Sequence, residues 1–332
     1  MSEQSPKPID PQDLLRQQVR WRLLETLFWL AILIPFFATP TYLVLCSQIA
    51  IAALFALSLD LIVGYSGLVS LGHAVFFGFG AYTAGLLSAK LGWGEPITGL
   101  LAAGFAAMLL GLLTSVIIVR ISHFALIMVT LGLCLLMFEL ANQAHDLTGG
   151  DDGLQGIRTW PVFGYFKFDL YGYTAYGYSL AVLFICFLVL RRVIHSPFGL
   201  SLRGIRENSR RMPAIGAPTR ARLRTAYVMS ATFAGDAGGL LAQTTEFVAL
   251  DALSFQRSAE VLVMLVLGGA GRLYGGLVGA VIFIVARDQL AGMNPQYWYF
   301  WLGLLLIVVI IFLPNGILGG IAHLLSRQRG KK

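Results

Sequence analysis

Ionisable and hydroxyl-bearing side chains set inside long apolar runs are where this sequence has chemistry to offer. Asp60, His73, Glu139, Asp236, Glu260 and Asp288 all fall in or near stretches apolar enough to sit in a bilayer. An ionisable group there is expensive and marks a solute path, a proton relay or a paired structural group. His73 stands in the run Gly64-Tyr65-Ser66-Gly67-Leu68-Val69-Ser70-Leu71-Gly72-His73-Ala74-Val75-Phe76-Phe77-Gly78-Phe79-Gly80-Ala81-Tyr82, with five glycines and two serines. Its imidazole can donate to a solute, shuttle a proton or simply pack between helices. Asp236 lies among small neighbours, Ala234-Gly235-Asp236-Ala237-Gly238-Gly239, which permit close backbone approach. Glu139 follows an apolar run and belongs near one end of its span.

Glycine-rich backbone at membrane depth must be buried in protein or line a cavity, because lipid satisfies no N–H or C=O group. The second half echoes the first, with Gly268-Gly269-Ala270-Gly271, Gly275-Gly276 and Gly279 interrupting an apolar stretch. Paired broken segments point to a midplane transport site, while close helix packing through small residues is the alternative. Gly64, Gly67, Ser70, Gly72, His73, Glu139, Asp236, Gly268 and Gly269 are therefore candidates for a translocation path or for the packing around it.

Other chemistries find no support. No nucleophile–base constellation is visible, and no His/Cys/Asp/Glu spacing suggests a metal. Cys46, Cys134 and Cys186 are odd in number and lie in apolar runs, so they read as small packing residues. None of the five lysines closes a phosphate-cradling loop. If ATP drives this protein, another subunit must hold it.

The elements that must position these residues are membrane helices. Of 332 residues, 57% are hydrophobic and 12% charged, against roughly 25% charged in soluble domains. Apolar runs long enough to span a bilayer are expected at roughly 23–42, 43–63, 68–90, 97–119, 122–145, 175–195, 223–245, 256–270, 273–291 and 297–315. The fold expected is an all-α polytopic membrane protein of about 8–10 transmembrane helices with glycine-broken or re-entrant segments. Charge sets its orientation. Nine arginines between Arg191 and Arg224 place loop 196–222 in the cytoplasm. Acidic loop 146–174 then lies outside, and both termini lie inside, the tail with Arg327, Arg329, Lys331 and Lys332. Residues 1–22 form a cytoplasmic segment without a signal peptide, with a short interfacial helix expected at 14–22. The transmembrane domain is expected at 23–318, and 319–332 is a basic tail. The basic loop between two spans suits anionic lipid rather than nucleic acid.

Within that loop, Ser196-Pro197 starts a turn, and residues 200–209 read as a short amphipathic helix with Leu202, Ile205 and Met212 as apolar anchors. Pro213 ends or kinks it, and Gly216 lets the chain turn back. Such a helix suits docking into a cleft on a cytosolic partner, and an ordinary lipid-facing basic loop is the alternative.

Over residues 45 to 320 the chain resembles the LivM-type permease subunits of branched-chain amino acid ABC importers. The resemblance is carried by Gly64–Tyr82, by Thr148-Gly149-Gly150-Asp151-Asp152-Gly153-Leu154-Gln155-Gly156-Ile157, by Arg203-Gly204-Ile205-Arg206-Glu207-Asn208 through Gly216, and by Val266–Ala280. It implies a type II-like ABC importer permease in the bacterial inner membrane that pairs with a LivH-like second permease. Two cytosolic ATPases that bind ATP and Mg, and a periplasmic solute-binding protein, complete the implied assembly; this chain itself holds no cofactor and is not an enzyme. It also implies that Arg203–Gly216 forms the coupling helix, with Arg203, Ile205, Arg206, Glu207, Asn208, Ala214 and Gly216 at the ATPase contact. Thr148, Gly149, Gly150 and Asp151 become candidates for docking the binding protein. Arg210, Arg211, Met212 and Pro213 depart from the Glu and paired alanines usual in that loop. The solute implied is a branched-chain or related amino acid; another small carboxylate, an aromatic acid or a urea or amide stays open. The rival from another class is a proton- or ion-coupled secondary transporter using Asp60, Asp236 and His73.

Overall fold

A computed structural model describes residues 23–320 apart from 39, 122, 170, 314 and 315. The expected N-terminal segment, its interfacial helix and nearly all of the basic tail lie outside the described residues. The described chain is helical, with two isolated bridges, Leu154 to Val248 and Val162 to Phe166. In order the helices are α1 (Leu23–Ile32), α2 (Ile34–Ala38), α3 (Leu43–Asp60), α4 (Ala74–Ala89), α5 (Pro96–Ile118), α6 (His123–Gln143), α7 (His145–Thr148) and α8 (Tyr173–Ile194). They continue with α9 (Pro197–Glu207), α10 (Arg211–Ala214), α11 (Thr219–Thr245), α12 (Phe255–Gly268), α13 (Gly275–Met293) and α14 (Trp298–Phe312). Among the described residues, five stretches are long and apolar enough to cross a membrane: Leu43–Tyr65, Pro96–Ile118, Phe124–Gln143, Tyr173–Ile194 and Gly275–Met293. Glu25–Phe37, Ala74–Ala89 and Trp298–Val309 are shorter apolar helices.

α3 and α11 form the centre. The Leu43–Tyr65 stretch is 78% buried, whereas Phe124–Gln143 is 22% buried, so α3 is a core helix and α6 a peripheral one. α11 packs along α4 and α5 and against α3, while α3 also meets α8, α12 and α13. The approach of α4 to α11 depends on glycine: a Cβ at Gly80 would strike the backbone of Gly235, and one at Gly238 would overlap the Phe77 carbonyl. Small residues at such crossings let helix backbones meet where lipid supplies no hydrophobic drive.

Local signals account for several helix boundaries. The Glu95 carboxylate accepts from the amides of Ile97 and Thr98, and Pro96 follows at the first helical position of α5. Ser196 with Pro197 starts α9 in the same way, and Ser254 caps α12.

Three expected spans are rearranged. The first is broken at Leu33 between α1 and α2. The third, expected from residue 68, becomes helical only at Ala74. Before it, α3 ends in a π-helical turn, Leu61–Tyr65, and residues 66–73 are irregular. The amides there find partners by other means: Leu68 donates to the Ile62 carbonyl (2.9 Å), Leu71 to Thr130 Oγ1 (3.2 Å) and Ala74 to Ser258 Oγ (2.9 Å). Neighbouring helices thus satisfy backbone that lipid would leave bare. The eighth expected span is the 14-residue α12, about 21 Å long and short of the hydrocarbon thickness. The chain reaches it through 246–254, where Val248 pairs with Leu154 while Ala252 and Leu253 press on Gly78 of α4. The Leu253 carbonyl meets Cys134 Sγ at 3.2 Å, midway along α6. The crossing is thus shared between this irregular stretch and the short α12.

Candidate functional site

The two glycine-rich interruptions, some 200 residues apart, converge on one carboxylate. Asp60 is 1% exposed at the end of α3, and its Oδ1 accepts from the amide of Gly271 at 2.7 Å. Gly64, in the π-helical turn, lies so close that a Cβ there would overlap both the Asp60 carboxylate and the Gly271 nitrogen. Arg206 of α9 donates from Nη1 to the Gly64 carbonyl. Its side chain also lies against Gly67, and the Arg203 guanidinium sits 5.3 Å from the Tyr65 ring centre. The basic segment between α8 and α11 is therefore fastened through Arg206 to the place where both broken segments meet. Gly268 and Gly269 belong to the same turn, where a Cβ on Gly268 would overlap the Gly275 carbonyl at the start of α13.

His73 is fully buried at the α3–α4–α11 junction. Its Nε2 lies 2.8 Å from Ser58 Oγ, which itself donates to the Phe55 carbonyl. Nε2 must then carry the proton, leaving Nδ1 as an acceptor without a partner. The ring stacks on Phe55 at 5.5 Å between centroids. This is a packing histidine. Ser70 is buried beside it in sequence and accepts from the Gly72 amide; a Cβ at Gly72 would strike the Thr130 carbonyl.

The two remaining acids stand apart. Asp236 faces Gly104 of α5, where an added Cβ would meet its Oδ1, and it makes no hydrogen bond or ion pair among the described residues. Glu139 is exposed on α6 and accepts from Gln143 Nε2 at 2.9 Å, away from the convergence. Arg191, counted with the loop arginines, is buried and paired with Glu25 of α1 at 2.5 Å.

The segment from Pro197 to Gly216 differs from the single coupling helix expected over Arg203–Gly216. α9 ends at Glu207; Asn208 is extended and its Oδ1 accepts from the amides of Arg210 and Arg211, opening the one-turn α10. Leu202 and Ile205 are buried inside this protein, at 0% and 3% exposure. Ile205 is thus an internal anchor and offers no surface to a partner. Glu207, Asn208, Arg210, Arg211, Ala214 and Gly216 are exposed, and Ile215 is the apolar residue they frame, 75% exposed. Met212, expected as an anchor, reaches back to Gly204.

A family model described as "Branched-chain amino acid transport system / permease component" matches residues 41–310. The chain belongs to that family. It is 31% identical over 320 residues to the high-affinity branched-chain amino acid transport system permease protein LivM of Escherichia coli (strain K12), covering 89% of this chain and 74% of the relative. The LivM protein of Salmonella typhimurium is also 31% identical, over 325 residues, 89% of this chain and 75% of its own. A probable LivM permease of Methanocaldococcus jannaschii is 24% identical over 182 residues, half of this chain and 52% of its own. No solved structure gives a significant match. The chain is thus a multi-pass membrane permease of an ABC transporter family.

At the opposite end of the permease, the Thr148–Ile157 loop is more internal than its sequence suggests. Thr148 is buried and donates to the Ala141 carbonyl at 2.6 Å, and Gly150 is buried behind it. These two brace the loop, while Asp151 and Asp152 are the exposed groups it presents. Sequence reasoning noted Glu260 and Asp288 but passed over Arg257, which pairs with Glu260, and Arg287, which lines the same vestibule. The signal was there: α13 carries an arginine inside an apolar helix.

Proposed function

We propose that this chain is one permease half of a bacterial ABC importer for branched-chain or related amino acids. A second, LivH-like permease completes the path, two cytosolic ATPases supply the energy with ATP and Mg, and a periplasmic binding protein delivers the solute. Both termini and the 196–222 loop lie in the cytoplasm of an inner-membrane protein. The surface from Glu207 to Gly216 engages an ATPase, and the loop bearing Asp151 faces the binding protein.

The observation that carries this reading is the fastening of Arg206 to Gly64, beside the Asp60–Gly271 hydrogen bond. An ATPase pushing on the exposed tip moves α9 as a lever whose inner end is tied to both broken segments. Displacement there reaches the centre of the bundle through covalent chain and one charge-assisted hydrogen bond.

The test is uptake of radiolabelled leucine into proteoliposomes holding the complex purified from native membranes. Arg206→Ala should leave assembly and ATP hydrolysis in place while cutting uptake roughly ten-fold, as expected for loss of a charged hydrogen bond at the lever. Leucine uptake that persists without ATP and follows an imposed proton gradient would overturn the reading.

A further inference from the structure

A small cavity of about 150 Å³ lies between α3, α4, α11, α12 and α13. Its walls are mostly apolar: Ile51, Phe55, Phe77, Val261, Met264 and Ile284. Each of these is no more than 3% exposed. Yet three polar side chains also face it, Gln48, Arg257 and Arg287. Gln48 and Arg287 make no hydrogen bond or ion pair among the described residues. Arg257 is held on one side by Asp251 (2.7 Å) and Glu260 (3.2 Å), but its Nε is buried without a partner. Arg257 Nε is the buried donor here, and buried donors without a partner are rare in a folded interior; Gln48 and Arg287 are half-buried beside it.

The cavity adjoins a polar vestibule of about 500 Å³ between α12, α13 and α14, and Arg257 and Arg287 line both. The vestibule adds three carboxylates, Asp251, Glu260 and Asp288. Three carboxylates and two guanidiniums thus stand at the mouth of an apolar chamber, an arrangement complementary to a zwitterion with a hydrocarbon tail. A chamber of about this volume takes a benzene-sized group, which matches a butyl side chain and is too small for an indole.

We propose that this chamber is where the permease takes hold of an aliphatic α-amino acid. The carboxylate lies among Arg287, Arg257 Nε and Gln48, the ammonium lies toward Glu260 and Asp251, and the side chain lies against Phe55, Phe77 and Met264. The ligand class rests on the function proposed above; the location rests on the cavity and its unused donors. Guanidiniums suit the carboxylate because their planar donors match it geometrically.

The experiment uses the purified wild-type complex, its binding protein at saturation, and L-leucine. Arg287→Gln should cut the initial rate of ATP-driven uptake roughly ten-fold or more, as for a charge left without its partner, with Arg287→Lys recovering part of it. Met264→Trp, which fills the chamber, should abolish uptake while leaving ATP hydrolysis. A measurement free of variants accompanies these: irradiation of the wild-type complex with a diazirine analogue of leucine should place adducts on peptides holding Phe55, Phe77 or Met264, displaced by excess leucine. Wild-type rates in both variants, or adducts absent from those peptides, would overturn the site. Failure of the wild-type complex to import leucine with ATP would instead overturn the wider function.

Discussion

At the scale of single residues, the acids that look alike in sequence divide into different kinds. Asp60 accepts from the backbone amide of Gly271, whereas Asp236 sits against Gly104 with no donor among the described residues. A secondary transporter needs such an acid to titrate; an ATP-driven permease does not. Asp236→Asn is therefore expected to keep leucine uptake within about two-fold of wild type and to leave thermal stability equal or higher, since a lone buried carboxylate costs rather than contributes. Uptake assays paired with a detergent thermal shift check both; a collapse of transport with unchanged stability would make Asp236 a working acid. The importance of His73 was legible only as a choice between solute contact and packing, and the choice depended on Ser58 and Phe55, partners that no motif names.

At the scale of elements, most of the helices were readable because apolar runs of spanning length leave the backbone few other options. The breaks were harder. Residues 66–73 lie largely within an expected span, but the amides of Leu71 and of Ala74 just beyond are taken by Thr130 and Ser258, side chains 59 and 184 positions away. The irregular 246–254 stretch depends likewise on Gly78 and Leu154, so local pattern could not announce it. Where an element's start was written locally, the consequences are local too. Burial opposes ionisation of Glu95, but the Thr98 hydroxyl and the amides of Thr98 and Ile97 outweigh it and hold the carboxyl below its ordinary value. A depressed carboxyl contributes stability above its unfolded value and loses it as pH falls through the folded one. The support that Glu95 gives α5 should accordingly be complete at neutral pH and fade below about pH 4.5. Glu95→Ala should cost about 1 kcal/mol at pH 7 and close to nothing once the wild-type cap is protonated, read as converging melting temperatures in acid.

At the scale of the whole molecule, the decisive arrangement is that both broken segments and α9 share one meeting point, while the exposed tip beyond it is built separately. The division makes a clean test. Ile215→Asp changes an exposed residue of the tip and touches none of the buried anchors Leu202 and Ile205. The permease should fold and insert normally yet lose its ATPases in a gentle detergent pull-down, whereas Arg206→Ala should keep them. Equal recovery of ATPases from wild type and Ile215→Asp would place the contact elsewhere. Sequence reasoning found the two glycine clusters and the basic loop, but not their convergence. Nothing in a linear pattern says that Gly64 and Gly271 touch. It also missed Arg257 and Arg287 together, because only the packing of α12 against α13 sets them along one chamber.

The Asp60–Gly271 hydrogen bond spans 211 residues of chain, and that distance is also a delay. At ordinary rates of translation, roughly 10–40 s pass between synthesis of the acid and arrival of the amide that receives it. During that interval α3 is a membrane helix ending in a carboxylate that lacks its amide donor. The nascent permease is thus held incomplete until its final third is made. A truncated product that stops short of Gly271 carries a built-in mark of its own immaturity, open to the chaperones and proteases of the membrane.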